Sequence, residues 1–167
     1  MQSLILDMNE ETVKQIQDTC AYIFNNKQLL IEALTHDSHR VNDRNKANYQ
    51  RLEFLGDSVL NLVVSEHLYR TYPHYEPGHL TDNRRKLTES RKQLEIAKKI
   101  KIEQHIDFAQ GVERKLFLRY DNFVESLIGA IYIDGGLGAA RRVIHHLWDS
   151  SVDITDDAKN TWSCVIS

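Results

Sequence analysis

Tyr49-Gln50-Arg51-Leu52-Glu53-Phe54-Leu55-Gly56-Asp57-Ser58-Val59-Leu60 is the stretch on which the reading of the chain turns. Leu52, Leu55, Val59 and Leu60, continued by Val63 and Leu68, recur at helical spacing. The pattern predicts a long helix from about Tyr49 to Tyr69, ended by Pro73 and Pro77-Gly78. Glu53 and Asp57 are four residues apart in that helix, so both project from one face, beside apolar neighbours. Two acids this close to a buried seam are costly unless something positive neutralises them. A bound cation meets that need, and so does an arginine or a helix N-terminus in a polar core network.

Moving outward, helical spacing recurs upstream in Val13, Ile16, Cys20, Ile23 and Phe24, then in Leu29, Leu30, Ala33 and Leu34. Val41 to Asn48 is polar and reads as a loop. Downstream, Leu80 to Ile102 is helical in pattern, as one helix or as two divided at Thr88-Glu89-Ser90. Lys101 to Lys115 is irregular. The most apolar helix is expected from about Phe117 to Ile133, stopped by Asp134-Gly135-Gly136, with a last amphipathic helix from Leu137 to about Ser150. No alternating apolar run is bounded by turn residues, so the fold class is all-α. Asn122 and Glu125 lie three apart on that most apolar helix and form a second pair of oxygen donors facing one way, with Asp121 one turn before Glu125. Two helices each offering two oxygen ligands suit a hard divalent cation, which accepts water and phosphate oxygens as its remaining ligands.

The 167 residues are enough for one domain, expected over 1–150, with a polar and poorly patterned tail over 151–167. A content of 41% hydrophobic and 27% charged residues excludes a disordered chain. Apolar runs such as Ser126 to Ile133 are too short for a bilayer, and Met1 to Asn9 lacks the features of a secretory signal. Cys20 and Cys164 form neither a disulfide framework nor a metal-binding spacing. A cytoplasmic or nuclear location and no membrane partner follow as expectations.

The net charge of −3 makes the chain no simple polycation. Between Arg84 and Lys101, however, eight basic residues face only Glu89 and Glu95. Such a run reads as a solvated helix face or as a nucleic-acid contact. His145-His146 are adjacent, hence about 100° apart on a helix, and read as surface residues and not as metal ligands. Trp148 and Trp162 are read as packing residues, with base stacking as the alternative.

The stretch from Tyr49 to Leu60 closely resembles the signature motif of the ribonuclease III family, and other pieces fit in order. Ala33-Leu34-Thr35-His36-Asp37-Ser38 resembles the family's upstream helix end. Pro77-Gly78-His79-Leu80-Thr81-Asp82 with Arg84 is similar to the segment after the signature helix, in the style of Dicer. Phe123-Val124-Glu125-Ser126-Leu127-Ile128-Gly129-Ala130-Ile131-Tyr132 resembles the second acidic motif. The resemblance covers about Phe24 to Trp148 and lies nearest in style to Dicer- and Drosha-like domains.

The resemblance implies the ribonuclease III endonuclease-domain fold, a helical bundle that pairs as a homodimer with signature helices facing each other. It implies an endoribonuclease hydrolysing double-stranded RNA with magnesium, or manganese in its place, and no small-molecule cofactor. One metal site per subunit makes one cut per strand, leaving 5′-phosphates and short 3′ overhangs. Glu53, Asp57 and Glu125 match the family's acidic ligands, and Phe54 matches the aromatic knob that enters a socket on the partner. Asn122 stands where many bacterial members have aspartate, resembles the asparagine of a Drosha-type domain, and keeps an oxygen donor at lower charge. Gln50 replaces a glutamate and is expected to contact RNA, together with Arg84 and Lys86. Bacterial members carry a further acid at the position of Pro77, one place after Glu76. The rival implications are a catalytically silent RNA-binding or assembly module, which the asparagine at 122 favours, and a duplex-sequestering suppressor of RNA silencing.

Overall fold

A computed structural model describes residues 10–113 and 119–148. Trp162, Cys164, Phe117 and the proposed tail lie outside the described residues. The helices are α1 (Glu10–Cys20), α2 (Lys27–Leu34), α3 (Gln50–Thr71), α4 (Pro77–Thr88), α5 (Ser90–Lys99) and α6 (Asp121–Trp148), with 3-10 turns at Asp37–Val41 and Ile102–Gln104. Among the described residues there is no strand, only an isolated parallel bridge between Thr35 and Asp107. The all-α expectation holds.

Local chemistry sets the ends of these helices. Asn26 caps α2 by accepting from the Gln28 N–H at 3.1 Å, and Asn48 Oδ1 accepts from the Gln50 N–H at 3.1 Å where α3 begins. Pro77 does not merely end the preceding pattern. It occupies the first turn of α4, where its missing N–H costs nothing. The region from Leu80 onward is two helices: Glu89 takes extended backbone (φ −69°, ψ 155°) and caps both.

α6 is apolar nearly all round and runs through the middle of the bundle, packing along α3 and against α2 and α5. By length and composition it could cross a membrane, but more than half of its apolar window is buried inside the molecule. It also runs past the expected stop at Asp134-Gly135-Gly136. Only Gly136 leaves helical geometry, at φ 75°, and the chain resumes the helix immediately, so the three residues make a kink. Asp134 has a different task. Its carboxylate accepts hydrogen bonds from the Tyr22 hydroxyl at 2.7 Å, the Asn25 N–H and the Asn26 N–H at 2.8 Å each, and the Asn25 amide at 3.4 Å, which fastens the α1–α2 link to the kink.

The core contains Leu60, Val64 and Leu68 of α3 with Phe123, Leu127, Ile131 and Ile144 of α6, all buried. Trp148 is fully buried and donates to the Leu87 carbonyl at 2.9 Å, which settles it as a packing residue. The decisive contact is at Gly56 and Gly129. A Cβ on Gly56 would fall on the carbonyl oxygen of Glu125, and one on Gly129 on the carbonyl oxygen of Leu52. α3 and α6 therefore touch backbone to backbone. Gly56→Ala is expected to destabilise the fold by about 3 kcal/mol, whereas Gly78→Ala, where a Cβ meets nothing within 4 Å, should change it by less than about 1 kcal/mol. Urea denaturation of the two variants checks this.

Candidate active site

The glycine crossing lies one turn from Glu53, next to Asp57, and directly against Glu125. It brings the acids of both helices into mutual electrostatic reach. Burial pushes the Glu125 carboxyl up to about 7; a hydrogen bond from Gln93 opposes this, while Asp57, Glu53 and Asp121 raise it further. Glu53 is raised as well, first by burial, with Arg119 acting against and Asp121, Asp37 and Asp57 acting with it. Asp57 is exposed and accepts from the Asn61 amide at 2.9 Å. Asn122 is half-buried, and its Oδ1 accepts from Arg119 Nη2 at 2.9 Å.

Several residues here were not singled out in the sequence. Arg119 brings a cationic charge to bear on both Glu53 and Glu125, and its guanidinium is fixed by Asp121, with Nε and Nη2 at 3.2 and 3.3 Å from the two carboxylate oxygens. Asp121 is itself buried, so the pair is anchored in the core. The arginine-neutralised reading of the acids is thus partly realised. Gln93 of α5 donates through Nε2 to Glu125 Oε1 at 2.7 Å and to the Thr88 carbonyl at 2.8 Å, which holds that carboxyl in place. Gln50 donates to Asp37 Oδ2 at 3.1 Å.

Among the described residues no group of three His, Cys, Asp or Glu side chains forms a ready-made metal cage. The donor chemistry nevertheless fits a hard cation. Glu53, Asp57 and Glu125 offer carboxylate oxygens and Asn122 an amide oxygen, Asp57 opens the cluster to solvent, and Glu53 and Glu125, raised first by burial, are raised further by neighbouring acids.

The model of the family described as ribonuclease-III-like matches residues 26–150. The chain belongs to that family. Ribonuclease 3 of Ehrlichia chaffeensis is 42% identical over 144 residues, covering 83% of this chain and 63% of that protein, and Ribonuclease 3 of Syntrophotalea carbinolica is 40% identical over 139 residues, covering 80% and 60%. The chain therefore spans about three-fifths of the length of these relatives. The nuclease domain of ribonuclease III from Campylobacter jejuni superposes with a TM-score of 0.74 at 28% identity, covering 85% of this chain and 99% of that one. Dicer from Pichia stipitis superposes at 0.55 with 25% identity, covering 75% and 54%.

The ribonuclease-III-like signature helix leaves Phe54 79% exposed, so it is not core within its own chain. Leu62 and Tyr69 are exposed further along α3. A cavity of about 280 Å³ lies beside them, between α3 and α4, lined by Ser65, Leu68, Tyr69, Pro77, Leu80 and Arg84 among others. The basic run divides. Lys92 is buried and pairs with Glu95 at 3.2 Å, and Lys99 donates to the Leu147 carbonyl at 3.0 Å, so both serve the fold. Arg84 is half-buried, its Nη1 3.4 Å from Ser65 Oγ, and Lys86 is exposed. Glu76 is exposed and precedes α4 without capping it through its side chain. His145 is only half-buried and meets His67 edge to face at 5.5 Å, while the exposed His146 lies 3.1 Å from the Thr19 carbonyl, so neither is simply a solvated residue.

Glu125 holds its proton in the folded protein up to about 7, against an ordinary value of 4.5. A raised carboxyl contributes stability that is complete below the ordinary value and lost as pH rises through the folded one. In the absence of divalent ions, stability should fall by about 1–2 kcal/mol between pH 5 and pH 8. Glu125→Gln should remove most of that slope, as thermal melts across the interval would report.

Proposed function

We propose that this chain is the catalytic unit of a metal-dependent endoribonuclease that cuts double-stranded RNA as a homodimer. The observation that carries the reading is the crossing at Gly56 and Gly129, beside which Glu53, Asp57 and Glu125 act electrostatically on one another; Asn122 is linked to them through Arg119. Magnesium, or manganese in its place, is the proposed ion, and these four side chains are its proposed ligands. Such an ion, when bound, supplies activation of water and neutralisation of charge on the phosphodiester.

The chain's own residues do the rest. Glu125 would hold such an ion in its ionised form, as ligating carboxylates do, and Gln93 keeps the Glu125 Oε1 oriented. Arg119 holds part of the negative charge of the cluster, and Asp121 prevents that guanidinium from swinging away. Lys86, Arg84 and Gln50 are proposed to meet the RNA backbone; the A-form duplex is recognised by its phosphates and 2′-hydroxyls, with little base readout. One cut per strand by paired sites leaves 5′-phosphates and short 3′ overhangs.

The proposed dimer seats Phe54 of one protomer in the cavity between α3 and α4 of the other. Phe54, Leu62 and Tyr69 are exposed along one helix, beside that cavity, which supports a partner chain covering this face. A second reading, a catalytically silent RNA-binding or sequestering module, is favoured by one observation: the asparagine at 122, whose oxygen Arg119 already engages.

Long duplex RNA with magnesium separates the two readings. Cleavage is expected, with Glu125→Gln slower by at least about 100-fold; uncut RNA, or cleavage indifferent to that substitution, sinks the enzymatic reading. Phe54→Ala should shift the chain toward monomer in sedimentation experiments, and an unchanged mass would remove the proposed seat.

A further inference from the structure

Ahead of the first turn of α3 lies a polar pocket of about 260 Å³ whose charged lining is Arg40, Arg44, Lys46, Arg51 and Glu32. Four cations face one acid in a chain whose overall charge is negative. No ion pair within 4.0 Å joins any of the four to a carboxylate among the described residues, whereas Arg70, Arg85, Arg91, Lys92, Arg119 and Arg141 are all so paired. Glu32 is the single acid of the lining and acts electrostatically on Arg51, so it offsets one of the four charges at most. The nearest acid in the same loop, Asp43, is engaged locally by accepting from the Asn45 N–H at 2.9 Å. The Nε of Arg40 donates to the Arg44 carbonyl at 3.3 Å, which steadies the guanidinium on the pocket wall, and Lys46 Nζ lies 3.5 Å from His39 Nδ1.

The pocket adjoins the acidic cluster. Gln50 lines it, donates to Asp37, and precedes Glu53 by three residues, about 4.5 Å of helical rise; Asp37 in turn acts electrostatically on Glu53. The pocket and the cluster thus share one rigid turn of α3.

We propose that this pocket binds a backbone phosphate of the same duplex RNA whose scissile phosphate lies at the carboxylates, fixing where along the strand the cut falls. Cations unmatched by ion-pair partners among the described residues, in a polar cavity, fit a phosphodiester group. The inference rests on the function proposed above and deepens it.

The experiment uses the whole chain with Glu125→Gln as background, so that RNA survives, and measures the anisotropy of a labelled RNA duplex over a salt series. Arg44→Gln with Arg51→Gln is expected to weaken binding by about tenfold and to lower the slope of log affinity against log salt by about one, the mark of one lost phosphate contact. Lys14→Gln with Lys27→Gln removes the same charge from exposed sites elsewhere and should stay within twofold of the background. The exposed single variant Arg44→Gln, expected to weaken binding by a smaller factor, guards against a folding defect in the double one. If the pocket variants bind like the Lys14/Lys27 control while the unsubstituted chain still cleaves duplex RNA with magnesium, the pocket proposal is overturned alone. If the unsubstituted chain neither binds nor cleaves, both proposals fall.

Discussion

The backbone contact of Gly56 with the carbonyl of Glu125, mirrored by Gly129 with that of Leu52, is the constraint on which the site depends. Interiors pack as tightly as organic crystals, so two helices with side chains at their crossing would stand further apart. Here they do not, and the side chains flanking the crossing are carboxylates. Hydrophobic burial along α3 and α6 holds like charges together; that burial first, and the neighbouring acids after it, raise Glu53 and Glu125. The proposed cation would offset the charge of the cluster, and in the protein alone Arg119 does so in part.

That partial neutralisation changes how the asparagine at 122 is understood. Taken by itself, the replacement of an acid lowers the charge of the cluster. Asp121 beside it is a buried acid, and Arg119 bridges the two. Asn122 is thus tied through one guanidinium to an acid of the same cluster. Gln93 contributes in the same way from α5, since it ties Glu125 to the backbone at Thr88 and so links the site to the break between α4 and α5.

Much of this was legible in the sequence because helical periodicity is local. Leu52, Leu55, Val59 and Leu60 fix which face of α3 is inward, and with it the direction of Glu53 and Asp57. The exposure of Phe54 was legible only through family resemblance, since an aromatic residue among leucines reads equally as core. Contacts between distant parts of the chain were not legible: nothing near Glu125 in sequence announces Gln93, 32 positions away. The basic run misled in part, because a lysine such as Lys92 can lie against apolar surface along its stem while its ammonium finds Glu95. Asp134-Gly135-Gly136 looked like a terminator because glycine with positive φ usually ends a helix; here a single such residue bends α6 and the helix continues.

Asp134 also bears on where the folding unit begins. The family match starts at residue 26, yet three of the four hydrogen bonds to this carboxylate come from Tyr22 and Asn25, just before it. Those bonds outweigh the effect of burial and keep the acid below its ordinary range. A chain trimmed to the matched span would keep the bend in its central helix but lose the clasp that fastens it, leaving a charged group with one donor where it had four. The residues that precede the recognisable domain are therefore structural parts of it, and the boundary drawn by resemblance falls inside the physical one.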